Sequence, residues 1–173
     1  MIPFYILTGP PGAGKTSLIE ALAHELNVVA EPARRVLAEQ REIGGQGTGD
    51  QDASLFIKLM TERAVHDYER ASGLTLFDRG LPDLLAFCAH YDLPDTLVKQ
   101  TAAHYRYQRT VFWLPAWEAI YEQDDERRLD FEGAKAFGAL IREAYGRAGY
   151  ELLTVPRTSI AERVTFIRQQ LAI

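Results

Sequence analysis

Phe4-Tyr5-Ile6-Leu7-Thr8-Gly9-Pro10-Pro11-Gly12-Ala13-Gly14-Lys15-Thr16 runs from an apolar stretch into a glycine-rich turn, and Ser17-Leu18-Ile19-Glu20-Ala21-Leu22-Ala23 follows with helical spacing. Gly9, Gly14, Lys15 and Thr16 fit G-x-x-x-x-G-K-[ST], the pattern of a phosphate-binding loop between a strand and a helix. Glycines take positive φ and let the backbone approach an anion. Successive N–H groups then point inward as an anion nest, and the next helix adds its N-terminal N–H groups and dipole. On this reading Gly9, Pro10, Pro11, Gly12, Ala13, Gly14, Lys15, Thr16 and Ser17 cradle a nucleotide's phosphates. Lys15 reaches the β- and γ-phosphates, and the Thr16 hydroxyl holds Mg2+.

Outward from that loop, strand-like and helix-like segments alternate, the pattern of βαβ units on a parallel sheet. Strands are expected at Pro3–Thr8, Asn27–Ala30, Leu74–Phe77, Thr110–Leu114 and Glu151–Val155. Helices are expected at Gly14–Glu25, from Ala33 to Ala38, at Asp52–Ala71, from Pro82, at Leu93–Tyr107, at Phe131–Ala148 and from a Ser159 cap to Leu171. Gly44-Gly45-Gln46-Gly47-Thr48-Gly49-Asp50 places four glycines in six residues and reads as a flexible loop. The implied fold is a three-layer α/β sandwich of the P-loop NTPase type: a five-stranded parallel sheet with helices on both faces.

The 173 residues suit one domain, 1–173, with a lid candidate at 116–130. A hydrophobic content of 47% and a charged content of 25% are those of a soluble globular chain. The net charge of −5 argues against a nucleic-acid partner, which calls for a basic face. Cys88 is the only cysteine, so no internal disulfide forms. No secretory leader precedes the loop, and no apolar run reaches the ~20 residues that span a membrane. These features favour a cytoplasmic protein, monomeric or homodimeric, with small-molecule partners.

The candidate chemistry lies at strand ends, where open α/β sheets bind ligands. Asp78 ends an apolar strand and is a candidate for Mg2+ or for catalysis; capping the next helix is the alternative. Arg79 could contact phosphate, steady a carboxylate or pair with Asp83. Glu31 precedes Pro32, which keeps it out of the helical region, and a carboxylate there could take a proton from an acceptor hydroxyl. Arg34 and Arg35 follow within one turn and could bind an acidic acceptor; a solvated helix start is the alternative. Arg127 and Arg128 could stabilise a phosphoryl-transfer transition state from a lid; on charge pattern alone a solvated, salt-bridged helix with Glu122, Asp124, Asp125 and Glu126 is the better reading. Arg157, just past the last strand, could border the nucleotide base. The four histidines show no metal-ligand spacing.

These pieces together resemble a family of small P-loop proteins described as AAA-type ATPase or predicted kinase domains. The resemblance rests on Gly9 to Thr16, Glu31-Pro32-Ala33-Arg34, Phe77-Asp78-Arg79-Gly80-Leu81-Pro82-Asp83, Trp113-Leu114-Pro115 with Tyr121, and Val155-Pro156-Arg157 with Glu162-Arg163-Val164. More distantly the chain is similar to nucleoside-type kinases, including deoxynucleoside and ribosylnicotinamide kinases. In deoxynucleoside kinases a Glu-Pro after strand two carries the general base, with an acidic-Arg pair after strand three beside it. Glu31-Pro32 and Asp78-Arg79 match those positions. The resemblance also implies a lid bearing arginines, for which Arg127 and Arg128 are the matching residues. The AAA label implies a ring motor, but the chain is short for the helical lid of such motors and shows no sensor or arginine-finger motif.

The expected function is therefore a kinase that transfers the γ-phosphate of Mg-ATP to a small-molecule acceptor, with GTP as the alternative donor. Either Glu31 or Asp78 would be the base. An NTPase conformational switch and a nucleotide-binding module with a protein partner are the alternatives.

Overall fold

The computed structural model describes residues 3–122 and 129–173. Five strands, β1 (Phe4–Thr8), β2 (Asn27–Val29), β3 (Thr75–Asp78), β4 (Thr110–Trp113) and β5 (Glu151–Thr154), form one parallel sheet of order β2-β3-β1-β4-β5. The helices are α1 (Lys15–Leu22), α2 (Pro32–Ile43), α3 (Ala53–Arg70), α4 (Leu81–His90), α5 (Thr96–His104), α6 (Phe131–Arg147) and α7 (Ile160–Leu171). The chain leaves the central β1 to one side for β2 and β3, and to the other for β4 and β5. Such a reversal opens a crevice beyond the carboxyl end of β1.

Side-chain alternation explains why the strands read as almost wholly apolar. Phe4 and Ile6 of β1, Phe77 of β3 and Val111 and Trp113 of β4 enter one core with residues of α2 to α6. Leu7, Leu76, Phe112 and Leu114 enter a second core with Leu18 and Leu22 of α1 and Ile167 of α7. A strand covered on both faces has no polar face to show.

Helix α1 stops at Leu22 rather than Glu25, and two further segments differ from the sequence expectation. The helix expected from Leu93 begins at Thr96. Ahead of it Asp92 takes a left-handed φ of 53° and Leu93 N–H donates to Cys88 O at 2.9 Å, which closes α4 as a Schellman-type cap. Helix α2 continues past Ala38 to Ile43, and Gly44 ends it at φ 65°. The glycine-rich segment beyond is folded against its neighbours rather than loose. Gly47 N–H donates to Gln40 Oε1 at 2.9 Å. A Cβ on Gly45 would lie 2.2 Å from Gln40 Oε1, and one on Gly49 2.0 Å from the Tyr91 hydroxyl. The Ser159 cap forms as read, with Glu162 N–H donating to Ser159 Oγ at 3.3 Å. No helix among the described residues is long and apolar enough to cross a membrane.

Candidate active site

The loop after β1 turns on its glycines. A Cβ on Gly9 would stand 2.3 Å from Leu114 O, so only glycine lets β1 and the segment after β4 meet there. Gly12 and Gly14 take φ 75° and 84°, and Gly14 hands the chain to α1 with Lys15 as its first residue. Lys15 is buried, and its Nζ donates to Gly9 O at 3.3 Å and Pro10 O at 3.1 Å. Burial first, and then the Arg79 charge, pull its pKa down to about 8 against the opposing pull of Glu31, Asp78 and Asp83. A buried ammonium held in this way gains when a phosphate arrives as a full counter-charge.

Register brings β3 to the same place. Leu7 pairs with Asp78, and Arg79 N–H donates to Leu7 O at 3.0 Å. Asp78 Oδ1 is buried without a hydrogen-bond partner. Burial, then the Glu31 charge, push the Asp78 carboxyl up to about 6. Arg79 adopts φ 67°, a left-handed conformation rare outside glycine, and turns its buried guanidinium into the interior.

That guanidinium joins two carboxylates. Arg79 Nε donates to Glu31 Oε1 at 3.0 Å and Nη1 to Asp83 Oδ1 at 3.0 Å. Asp83 is itself saturated: Thr8 Oγ1 donates to Oδ1 at 2.5 Å, while Gly80 N–H and Tyr145 Oη donate to Oδ2 at 2.9 and 2.5 Å. Glu31 sits at the end of β2 in an extended conformation (φ −55°, ψ 124°), with Pro32 at the first turn of α2. Arg34 Nε stands 3.4 Å from its other oxygen. Burial works to raise the Glu31 pKa, but Arg79, then Lys15 and Arg34, outweigh it, and the net shift is downward. Glu31 is therefore a carboxylate at neutral pH.

A cavity of about 1320 Å³ connects these groups. Gly12, Gly14, Lys15, Thr16 and Ser17 line it from the phosphate loop, Glu31, Arg34 and Arg79 from the strand ends and α2, and Leu37, Gln40, Gly45, Phe56, Phe87, Tyr91 and Phe137 from the helices and the glycine-rich segment. Gly9, Pro10 and Ala13 are buried behind the loop surface. Arg35 turns away from the cavity to pair with Asp67 of α3 at 2.8 Å. Arg157 is likewise off the cavity wall, exposed, with Nη2 donating to Ala116 O at 2.5 Å. Asp78 is not on the wall either; it lies at the end of β3 next to Arg79. Arg127 and Arg128 lie outside the described residues. From the 116–130 stretch, Trp117, Ile120, Glu122 and Leu129 reach the cavity.

Three participants escaped the sequence reading. Arg163 of α7 is buried on the cavity wall, its Nε has no partner, and its Cζ stands 5.6 Å over the Trp117 ring. Its Nη1 would lie 3.0 Å from a Cβ on Gly14, so it abuts the phosphate loop. In the sequence it figures only within Glu162-Arg163-Val164, as part of the family resemblance, with no role of its own. Gln40 shares a helix face with Ala33 and Leu37, a signal available in the periodicity of α2. Tyr145, in a helix of ordinary amphipathic pattern, left no trace of its bond to Asp83.

The groups present fit Mg2+ as kinases and ATPases hold it. Among the described residues no cluster of three or more His, Cys, Asp or Glu side chains could cage a metal. Mg2+ needs no such cage, since it keeps several waters and is bound through one or two oxygens plus substrate phosphates. Thr16 on the cavity wall is one such oxygen, and Asp78, whose buried Oδ1 has no partner, lies off the wall at the end of β3.

The sheet order and the glycine loop after its central strand define a P-loop NTPase fold of the kinase type. Within that class the chain belongs to the AAA domain family, whose model matches residues 4–163. No curated protein sequence matches it. Among solved structures it is similar to deoxyadenosine kinase from M. mycoides, at 13% identity and a TM-score of 0.65 with 98% of each chain covered. It is similar to shikimate kinase from Acinetobacter baumannii in complex with shikimate, at 14% identity and a TM-score of 0.65, covering 99% of this chain and 94% of that one. It is also similar to NadR protein in complex with NR, at 14% identity and a TM-score of 0.72, covering 99% of this chain but 52% of that one. At such identities the likeness is one of fold.

Proposed function

We propose that this protein is a phosphotransferase that moves the γ-phosphate of Mg-ATP to a hydroxyl of a small-molecule acceptor. The observation that carries this reading is the placement of Glu31, held ionised by Arg79, on the wall of the cavity that the phosphate loop also lines. A hydrolytic switch needs a water-sized space beside the γ-phosphate, whereas this cavity of about 1320 Å³ is lined, besides Glu31, by the aromatic rings of Phe56, Phe87 and Tyr91. The acceptor would lie there with its hydroxyl toward Glu31. As the acceptor oxygen bonds to the γ-phosphorus, the bond from phosphorus to the β-phosphate oxygen breaks, ADP leaves, and Glu31 takes the hydroxyl proton. Lys15 and Arg163 hold the donor phosphates and nucleoside. Thr16 and Asp78 are the residues that would hold Mg2+ or its waters, and the ion would supply charge neutralisation for the transferred phosphate. Glu31 is assigned as the base because it lines the cavity and Asp78 does not. The neighbouring kinases of the same fold are consistent with this chemistry without naming the acceptor.

The test is ADP formation from Mg-ATP across a panel of nucleosides, sugars, hydroxy acids and vitamins, repeated with Mg-GTP. One acceptor class should raise ADP formation above the slow acceptor-free rate. Glu31→Gln should lower that transfer about a hundred-fold or more with Mg-ATP affinity kept. A panel in which no compound raises ADP formation, while a protein partner does, would overturn the reading in favour of a switch.

A further inference from the structure

We infer that Asp83 and Tyr145 are positioning residues that hold Arg79, and through it Glu31, in the orientation for transfer, so that helix α6 is tied to the reaction centre. This inference rests on the reading of Glu31 as the base. The chain of contacts is continuous: Tyr145 Oη to Asp83 Oδ2 at 2.5 Å, Arg79 Nη1 to Asp83 Oδ1 at 3.0 Å, and Arg79 Nε to Glu31 Oε1 at 3.0 Å.

Each link is buried: Tyr145 is 0% exposed, Asp83 1% and Arg79 6%. Arg79 holds a left-handed φ, a strained conformation that persists only where surroundings over-determine it. Asp83 supplies that determination, because its four hydrogen bonds come from Thr8 on β1, Arg79 and Gly80 after β3, and Tyr145 on α6. The Tyr145 phenol stays protonated, since burial and then the Asp83 charge raise its pKa well above the ordinary value, and so it remains a donor. A carboxylate with this many donors could be kept for folding alone. What sets it apart is that its arginine also bonds, through Nε, a carboxylate on the cavity wall beside the phosphate loop. Helix α6 also carries Phe137 on the cavity wall and follows Leu129 at its rim, so a shift of α6 about a bound ligand would be felt at Glu31.

The experiment follows the Glu31 carboxyl carbon by NMR in 13C-glutamate-labelled full-length protein without metal, its signal assigned by loss in Glu31→Gln. The charged groups acting on Glu31 are Arg79, Lys15, Arg34 and Asp78. In Asp83→Asn the two expectations have opposite signs. If Asp83 holds Arg79 in place, its loss lets the guanidinium swing away and the Glu31 titration moves up toward the ordinary carboxylate range. If the two carboxylates merely share Arg79, removing one leaves more of the cation to Glu31 and the titration stays or moves down, which overturns the inference. Tyr145→Phe keeps the ring in the core and should give a smaller upward move; should Asp83→Asn fail to fold, it decides alone, with no movement counting against the inference. With an acceptor from the panel, Tyr145→Phe should lower kcat about ten-fold at unchanged KM for Mg-ATP, and add nothing in a Glu31→Gln background. An equal loss in both backgrounds also overturns it. A panel without any acceptor would instead sink the kinase reading, and the titration would still decide the linkage.

Discussion

Two parts of the cavity lining are built in opposite ways. The phosphate-loop part, the donor end of the proposed reaction, is almost contiguous: Gly12, Gly14, Lys15, Thr16 and Ser17 are neighbours in the chain, joined by Arg163 from α7. The remaining part, where the proposed acceptor would lie, is assembled from α2, the glycine segment, α3, α4 and α6, so residues as far apart as Leu37 and Phe137 share it. Phosphate is the same anion in every nucleotide, and a short stretch of backbone N–H groups with one lysine can meet it. An acceptor has its own shape, which only side chains from several elements can outline. A site built locally is therefore legible as a motif and sensitive to single changes, whereas a site built from many elements is mute in sequence and tolerant of each change taken alone.

The largest effect should come from the donor end. Lys15→Met should weaken Mg-ATP binding about a hundred-fold, the scale for deleting one partner of a close charge pair. It should at the same time stabilise the ligand-free fold, because it removes a buried ammonium. The pH dependence has a definite sign. The folded pKa, about 8, lies below the unfolded value of 10.5, so the unfolded chain holds more protons between them. Ligand-free stability should rise as pH climbs from about 8 to 10.5, and Lys15→Met should flatten that rise. Calorimetric titration and urea melts across that range check both. Unaltered nucleotide affinity in Lys15→Met would dissolve the distinction between the two ends.

Asp78→Asn comes next. The wild-type carboxyl is pushed up to about 6 from 3.8, so the folded state favours its neutral form. Ligand-free stability should fall as pH rises from about 4 to about 6, and the penalty should persist above that. Asp78→Asn should remove it, stabilising the protein at pH 7 by about 1–3 kcal/mol. The cost should appear in Mg2+ use. In the wild type, Mg2+-dependent strengthening of ATP binding should grow as pH rises through about 6, and in the variant it should be lost. Retention of the full Mg2+ effect in Asp78→Asn would mean that the orphaned oxygen serves some other group.

How much of this was written in the sequence follows the same division. The five strands and the loop were legible because β1, β3 and β4 are covered on both faces and carry an unbroken apolar pattern, and because G-x-x-x-x-G-K-T has one physical use after a strand. Glu31-Pro32 and Asp78-Arg79 could be placed at strand ends for the same reason. Pairing with Asp83 was one of the alternatives the sequence left open for Arg79, and it forms; the burial of that pair and the bond to Glu31 were not legible. The partners of Arg79 are 48 and 4 residues away in opposite directions, and its left-handed φ depends on register between β1 and β3. The glycine segment reads as loose on composition alone; its order comes from Gln40 and Tyr91, which fill the space a Cβ would have taken. Arg35 and Arg34 are adjacent and chemically alike, yet the turn of α2 sends one to Asp67 and the other to the cavity.

A pair of glycines at the acceptor end makes a milder test. Gly44 has φ 65° and open space around it, so Gly44→Ala should cost about 1–2 kcal/mol from backbone strain alone. For Gly45→Ala the new methyl would meet Gln40 Oε1, the far end of a flexible side chain, and push it off the Gly47 N–H. The expected loss is about 1 kcal/mol, one hydrogen bond's worth. Thermal melts should show both losses, Mg-ATP affinity should change in neither, and acceptor KM should rise only for Gly45→Ala. A loss of nucleotide affinity in Gly45→Ala would mean that the two ends are mechanically one.

The smallest effect belongs to an arginine that its position singled out. Arg157 lies just past β5, where the nucleotide base could be bordered, but it is exposed and gives its hydrogen bond to the Ala116 carbonyl. Arg157→Ala should therefore change Mg-ATP affinity less than about two-fold, within the range of one exposed hydrogen bond. Arg163, six residues on, is buried against Trp117 and Gly14, has an unpartnered Nε, and pairs with no carboxylate among the described residues. Burial lowers its pKa, a sign that the ligand-free protein bears the cost of keeping this cation dry. Arg163→Ala should thus leave stability unchanged or improved while weakening Mg-ATP about ten-fold, the signature of a charge kept for a ligand rather than for the fold. The reverse ranking, with Arg157→Ala the more damaging to binding, would show that the nucleoside leans toward the exposed side of the loop after β5 and that the donor end is less local than its phosphate loop implies.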